Sequence, residues 1–577
     1  MSDTGAFADA RRAFDRWRRR YPLDLYESDS HLDLVNRRYL DGDRLTELQV
    51  AAGEFGKVVA AEIGSLVESY RTHLPELAKY DGHGNHIDEV RFHDAYHEAG
   101  RRVWAAGLLQ RAGRAGNSFE QANLFYLASL EGEMGHLCAA TCTTGFVRVL
   151  RRHASTDLKD RYLPELTAGS YDAAVRGAQF LTEVQGGSDV GANASVARDV
   201  GGSWEITGEK WFCSVADAGV FLLLARPEGS TSGTRGLACF VVPRTVAGRL
   251  NGFSIRRLKD KLGTTAMASG EIDFDRAAAE IVGEVDAGFK IMVTAMLNTS
   301  RWMNAIGDVG MMRRAYLEAS NYAAIREAFG QRIADFPLVR RQLAEAKAEW
   351  LAALHSTWEL TSLDEAIDVE SMGGDAVDQA DVGFHRYLVN ANKLVCSLAA
   401  TDVVRRSIEI LGGNGAIEEF SVLPRLLRDA IVFEQWEGTH NVLTAQVLRD
   451  MGKLGLAGTV VDRTATMLKG ISDNDLGLVA DRAQTVLEDL SGHVARCVEE
   501  PNYGALHFRS LLERLLRVHQ VGLLLKAAEE VGSEPLGQEL AAAAELILGH
   551  YLESDYRAES DPRFEVLVER VLGLDLG

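Results

Sequence analysis

The spacing of apolar residues changes character twice along the chain. Over residues 1–170 apolar positions recur every three or four residues. Glu47 to Tyr70 shows this, as does the stretch from Ala122-Asn123-Leu124-Phe125-Tyr126-Leu127 to Arg148, and the period predicts helices. Residues 171–285 replace it with Gly-rich turns and short alternating or β-branched runs. Trp204-Glu205-Ile206-Thr207-Gly208-Glu209-Lys210-Trp211-Phe212 and Cys239-Phe240-Val241-Val242-Pro243 are examples, and they predict an all-β insert. Residues 286–455 return to long helical periods, interrupted at Ser371-Met372-Gly373-Gly374-Asp375, where a surface loop is expected. Residues 456–577 read as a further helical piece, with a Leu-rich face from Arg509 to Val531. The expected domains are therefore 1–170, 171–285, 286–455 and 456–577.

A chain of 577 residues is too long for one core. Its 46% hydrophobic and 25% charged residues are ordinary for a soluble globular protein. No apolar run approaches the ~20 residues of a membrane helix, and Val220-Phe221-Leu222-Leu223-Leu224-Ala225 is only strand-sized. The Arg-rich N-terminus also carries Asp3, Asp9 and Asp15 and lacks an apolar core, so no targeting signal is read and a cytoplasmic location is expected. The net charge of −21 argues against a general nucleic-acid surface. Six scattered cysteines read as reduced, mostly buried thiols rather than a disulfide framework.

Several motifs lead nowhere. His93-Asp94-Ala95-Tyr96-His97 has the two-histidine spacing of a zinc helix, but Asp stands where Glu is needed and no third ligand is near in sequence. His136, Cys138 and Cys142 share a helical face without a second cluster, so no metal is expected. Neither a phosphate-binding G-x-x-x-x-G-K-[ST] loop nor a G-x-S-x-G nucleophile elbow occurs.

Two segments carry more chemistry. In Leu181-Thr182-Glu183-Val184-Gln185-Gly186-Gly187-Ser188-Asp189-Val190, a strand (Ala178 to Leu181) runs into a hydroxyl and then a Gly-rich loop. Glycines let backbone approach a ligand, and the hydroxyls and free N–H groups suit polar ring atoms or phosphate; a plain β-turn has the same composition. The second is Trp436-Glu437-Gly438-Thr439-His440-Asn441, which follows the Gly412-Gly413-Asn414-Gly415 turn. A carboxylate between a helix end, a glycine and a hydroxyl can approach a flat cofactor and take a proton from a bound substrate. A solvated helix-end Glu would look the same in isolation.

The order and spacing of five motifs resemble the acyl-CoA dehydrogenase flavoprotein family. They are the Thr182–Val190 loop, Gly208-Glu209-Lys210-Trp211-Phe212-Cys213-Ser214, Arg326 with Phe329-Gly330, Gly412-Gly413-Asn414-Gly415, and Trp436-Glu437-Gly438-Thr439, spread over residues 80–450. Tyr80-Asp81-Gly82-His83-Gly84-Asn85, Val90-Arg91-Phe92-His93, the Gln185-Gly186-Gly187-Ser188-Asp189 form of the loop and the two long extensions resemble the bacterial alkylation-response branch. The resemblance implies a mostly α fold with a β-barrel middle domain. A helical N-domain and a helical-bundle C-domain flank it, an extra C-terminal helical domain follows, and FAD is held between the domains.

The resemblance also implies roles. Leu181, Thr182, Gly187 and Ser188 match flavin and phosphate contacts. Phe212 and Ser214 match the strand positions that stack on the isoalloxazine and bond its reactive edge, where the family usually has Trp and Thr. Arg326 and Phe329 match residues reaching the FAD of a neighbouring subunit, so a homodimer or homotetramer is expected. Glu409, where many members have Gln, and Gly413 belong to the same contact, while Thr439 and Asn441 match contacts after the base. Glu437 matches the base that removes the α-proton of an acyl-CoA, its own N–H binding the thioester carbonyl. Relatives that carry the base before the cleft arginine would need a carboxylate at Ser300. Arg301 matches that arginine, though a helix-surface cation would read alike. Arg301, Ser188 and Trp436 are the substrate-side candidates.

The implied function is α,β-dehydrogenation of an acyl-CoA in fatty acid metabolism, with an electron-transfer flavoprotein as acceptor. Two alternatives remain: a flavoprotein with a mainly binding or protective role, as in the alkylation-response branch, or an acyl-CoA or nitroalkane-type oxidase. From residue 461 onward 11 Lys and Arg stand against 21 Asp and Glu, a balance of −10 that disfavours DNA as partner.

Overall fold

The computed structural model describes residues 5–132, 134–553 and 563–573. The chain divides into two units. A barrel unit takes Ala61–Met303 and Glu365–Ala376; a bundle unit takes the chain up to Ala60, Asn304–Asp364 and the chain from Val377 on.

In the barrel unit, strands β1 (Glu76–Tyr80) and β2 (His86–Arg91) form an antiparallel hairpin around the Asp81–Asn85 turn. The helical reading of residues 1–170 missed this hairpin. Asp81 makes the turn by accepting from the backbone N–H groups of His83 and Asn85, both at 2.8 Å, a local pattern that overrides the surrounding helical period. The helices Asp94–Ala105, Leu108–Ala112, Ser118–Ser129, Met134–His153 and Thr156–Leu166 follow. Met134–His153 is buried on nearly every side, which its small residues permit: a side chain at Gly145 would meet Met296 Sδ at 2.4 Å.

Next come β3 (Gly177–Phe180), β4 (Val196–Asp199), β5 (Trp204–Ser214), β6 (Val220–Pro227), β7 (Ala238–Pro243), the short pair β8 (Thr245–Val246) and β9 (Arg249–Leu250), β10 (Phe253–Leu258) and β11 (Ser269–Val282). β11 pairs with β5, β5 with β4, β4 with β6, β6 with β7, and β7 returns to β11 through Val241↔Glu280, Phe240↔Ile281 and Cys239↔Val282. Five strands thus close a barrel with no free edge among them, and β3 and β10 attach to β6 and β11. Closure explains the apolar run of β6: Val220 to Ala225 are buried on both faces.

In the bundle unit the helix Gln379–Leu411 is central. It packs against Leu423–Gln435, His440–Lys453, Leu456–Lys469 and Pro501–Val531. Asn474–Glu499, Pro535–Ile547 and Phe564–Leu572 extend this helical assembly toward the C-terminus. The helix read from Glu47 to Tyr70 is Gly42–Val58, a π-helical turn Val59–Ile63, and Gly64–Tyr70. No described helix is long and apolar enough to cross a membrane.

Candidate active site

β3 delivers Leu181 and Thr182 half-buried, then the loop to Val190 with Gly187 and Ser188 exposed. The loop is held from inside by Glu183, whose carboxylate is 2% exposed. It accepts from Lys210 Nζ at 2.7 Å, Ser195 Oγ at 2.6 Å, and the N–H groups of Ala194 at 2.6 Å and Ser195 at 3.2 Å. Burial opposes its charge, but the fully buried Lys210 and these donors hold its pKa down to about 2. Asn193 Nδ2 ties the Leu181 carbonyl at 2.8 Å, and the Trp211 N–H ties that of Thr182 at 2.9 Å. A side chain at Gly187 would meet Thr182 Oγ1 at 2.4 Å, so only glycine leaves that hydroxyl open.

A β-bulge sets what β5 presents. Lys210 faces Ile272 and Cys213 faces Gly270, so Trp211 and Phe212 together oppose Glu271. Without the bulge Phe212 would follow Lys210 inward; with it Cys213 turns inward and Phe212 is 54% exposed. Lys259 Nζ lies 3.7 Å from the Trp211 ring centre and 4.8 Å from that of Phe212. Ser214 ends the strand half-buried, and the β-branched Val215 after it has φ +56°, a strained conformation. Arg301 is buried, which rules out the helix-surface cation; its neighbour Ser300 accepts from Gln179 Nε2 of β3 at 3.4 Å.

In the bundle unit, Arg326 and Phe329 sit on a small hairpin, Glu327–Ala328 with Gln331–Arg332. Arg326 is exposed, and Phe329 is 98% exposed at φ +53°. Asn414 Nδ2 donates to Tyr322 Oη at 3.1 Å and so joins the Gly412–Ala416 turn to the helix Asn298–Ile325, which ends just before Arg326. Gly413 has open space where a side chain would stand, and Glu409 is exposed, accepting from Gln342 Nε2 at 3.3 Å.

Glu437 lies in the turn between Leu423–Gln435 and His440–Lys453. It is half-buried at φ +55°, and Gly438 follows at φ +106°. Both ends of the turn converge on one buried cation: Lys393 Nζ donates to the Glu434 carbonyl at 2.9 Å and the Gly438 carbonyl at 3.2 Å. Thr401 Oγ1 donates to the Glu434 carboxylate. Fully buried Asp308 accepts from Asn304 Nδ2 at 2.9 Å; burial raises its pKa well above the usual carboxylate range, and the Lys393 charge opposes the rise. Trp436 is half-buried. Thr439 caps the helix Ncap position without bonding its own helix through its hydroxyl, and Asn441 Oδ1 accepts from Arg509 Nη1 at 3.2 Å. Buried His440 is held neutral, its pKa lowered to about 4 by burial and by Lys393 and Arg509.

The fold thus gathers Leu181, Thr182 and Gly187 beside Phe212 in one unit, and Trp436, Glu437, Thr439 and Asn441 in one turn of the other. The sequence reading did not single out Lys393, Asp308, Lys210 or Lys259. The available signal for Lys393 was its place directly before the apolar run Leu394-Val395-Cys396. His93 Nδ1 accepts from the Ala95 N–H at 3.1 Å as a helix cap, and His97 Nδ1 lies 3.1 Å from Tyr171 Oη, so each ring has a structural partner. All six cysteines are free and buried.

Three family profiles match the chain in order: the adaptive response protein AidB N-terminal domain over residues 19–173, the acyl-CoA dehydrogenase middle domain over 178–277, and the acyl-CoA dehydrogenase C-terminal domain over 286–452. The chain belongs to the acyl-CoA dehydrogenase family. Within it the chain falls in the AidB-like branch. It is 31% identical to the putative acyl-CoA dehydrogenase AidB of Escherichia coli K12, over 74% of this chain and 78% of that protein. It is also 31% identical to acyl-CoA dehydrogenase family member 11 of Caenorhabditis elegans, over 74% of this chain and 70% of that protein. The solved structure of Caenorhabditis elegans ACDH-11 in complex with C11-CoA has a TM-score of 0.83 at 25% identity, covering 95% of this chain and 93% of that one. An acyl-CoA dehydrogenase from Bacillus anthracis complexed with FAD shares the fold, with a TM-score of 0.73 at 20% identity over 91% of this chain and 88% of that one.

FAD is the cofactor of this family. Within the barrel unit the residues present fit a flat, phosphate-bearing group: an exposed Phe212 ring and a loop where Gly187 keeps the Thr182 hydroxyl clear.

Proposed function

We propose that this chain is an FAD-dependent acyl-CoA dehydrogenase in which Glu437 removes the α-proton of an acyl-CoA thioester. The observation that carries the reading is the turn at Glu437. A non-glycine residue at φ +55° is unfavourable, and buried Lys393 holds the turn from both sides, an expense that a solvated helix-end Glu does not explain. Strain maintained by a buried clamp is characteristic of positioned functional groups.

In this reading Leu181, Thr182, Gly187 and Ser188 hold the cofactor's ring edge and phosphates. Phe212 stacks on the ring and Ser214 bonds its reactive edge. Thr439 and Asn441 complete the contacts beyond the base. FAD, when bound, supplies the two-electron oxidation by accepting the β-hydride. The carboxylate of Glu437 takes the α-proton, while its N–H steadies the negative charge growing on the thioester oxygen. Arg301, Ser188 and Trp436 bound the substrate. Arg326 and Phe329, with Glu409 and Gly413, serve the cofactor of a neighbouring subunit in a homodimer or homotetramer. The acceptor is an electron-transfer flavoprotein. The C11-CoA complex of the nematode relative supports an acyl-CoA as substrate. The −10 balance beyond residue 460 supports an enzyme over a DNA-binding flavoprotein.

The test is to purify the protein, measure its flavin content, and mix it without oxygen with acyl-CoAs of graded chain length. The reading expects about one FAD per chain and flavin bleaching by at least one thioester. Absence of flavin after reconstitution with FAD overturns it.

A further inference from the structure

A concavity of about 590 Å³ lies within the bundle unit. Its walls come from the helices Ser30–Tyr39, Pro337–Ser371, Leu456–Lys469 and Pro501–Val531, and no residue assigned above to cofactor, base or substrate lines it. Its charges fall into two sets. Glu359 is satisfied: His519 Nε2 lies at 2.6 Å, and Arg463, which also reaches Asp381, lies at 3.3 Å. Arg38 is not. Its side chain is 13% exposed, and among the described residues its one carboxylate neighbour, Glu530, stands 3.6 Å away. Lys526, exposed on the same lining, makes no ion pair among the described residues. Leu363, Met467 and Leu523 supply apolar lining.

We propose that this cleft binds an amphiphilic monoanion: a carboxylate on a short apolar chain. Arg38 and Lys526 stand against one lining carboxylate not already paired, Glu530, an excess of one positive charge that a single anion offsets, and a carboxylate accepts N–H bonds in the plane that arginine presents. Two cations open to the cleft, in a chain of net charge −21, select an anion. Glu359 and Glu530 in the same walls disfavour a doubly charged head such as phosphate. The volume is that of a small-molecule site and exceeds what a carboxylate alone would fill, so the leucines and Met467 receive a chain. The inference stands independently of the dehydrogenase reading.

Calorimetric titration of the purified full-length protein with sodium octanoate tests it, with flavin absorbance followed in parallel. The expected result is one saturable octanoate per chain with no flavin shift, and acetate at least tenfold weaker. Lys526→Glu, at an exposed position, and Arg38→Met should each weaken octanoate at least tenfold. Thr466→Trp should obstruct the cleft with both cations in place and weaken it likewise. Three results overturn the proposal: no saturable octanoate binding to the wild type, acetate binding as tightly as octanoate, or octanoate affinity unchanged in Lys526→Glu and Thr466→Trp.

Discussion

Lys393 Nζ donates to the Gly438 carbonyl at 3.2 Å, across 45 residues of sequence, and fixes the far side of the turn that carries Glu437. The same nitrogen holds the Glu434 carbonyl on the near side at 2.9 Å. One fully buried cation therefore sets the backbone on both flanks of the proposed base. Lys393→Met should remove both bonds and leave two carbonyls unmatched. It should cost about 2–4 kcal/mol of stability and slow substrate-dependent flavin reduction about 10- to 100-fold through misplacement of the carboxylate. Flavin content, set by other residues, should stay near one per chain. Denaturant unfolding and rapid-mixing reduction measure the two effects.

Glu437 carries a conformational cost that glycine would not. Glu437→Gly should raise stability by about 1 kcal/mol, because φ +55° suits glycine. It should abolish reduction by acyl-CoA. A gain in unfolding midpoint together with loss of activity would mark the position as selected for chemistry rather than stability.

The Glu183 carboxylate, with a pKa near 2 against the ordinary 4.5, stabilises the folded state at pH above about 4.5. That contribution, about 3 kcal/mol from the size of the shift, should fade as pH falls from 4.5 through 2. The stability advantage of wild type over Glu183→Gln should therefore be full at pH 6 and shrink progressively below pH ~4.5. Urea unfolding of both proteins across that range checks it, and a pH-independent difference would contradict it.

Phe329, 98% exposed at the tip of its hairpin, meets Phe336 edge-on at 6.3 Å and otherwise presents its apolar ring to solvent. Phe329→Ser should leave the protomer folded, weaken self-association and lower FAD retention together. Sedimentation velocity alongside flavin content reads both.

Much of the fold could be read from periodicity. The all-β insert stood out because Ile206, Phe240 and Val242 recur at strand spacing between helical segments, and closure into a barrel follows from the length of β11, which reaches both β5 and β7. The β1–β2 hairpin was hidden because its turn depends on Asp81 bonding two nearby N–H groups, which the apolar period does not register. Within the candidate site, glycines and hydroxyls were visible as motifs. The groups that hold them were not. Lys210 and Glu183 meet across 27 residues, and Lys393 reaches its carbonyls across 41 and 45, separations that only the folded chain closes. The exposure of Phe212 depends on a bulge opposite Glu271, which alternation along β5 alone would have misassigned. Arg301 could be either cleft or surface residue from its helix position; its burial decides against the surface.

Glu437 is the proposed base. Rapid mixing of wild type and Glu437→Gln with the most reactive acyl-CoA, without oxygen, tests it directly. Gln keeps the shape and the turn but cannot accept the proton, so the flavin spectrum should be unchanged and ligand affinity nearly so. Reduction should slow by several orders of magnitude. A variant that reduces its flavin within about threefold of the wild-type rate would show that Glu437 is not the base, since proton transfer by a positioned base is worth about 10²–10⁴-fold.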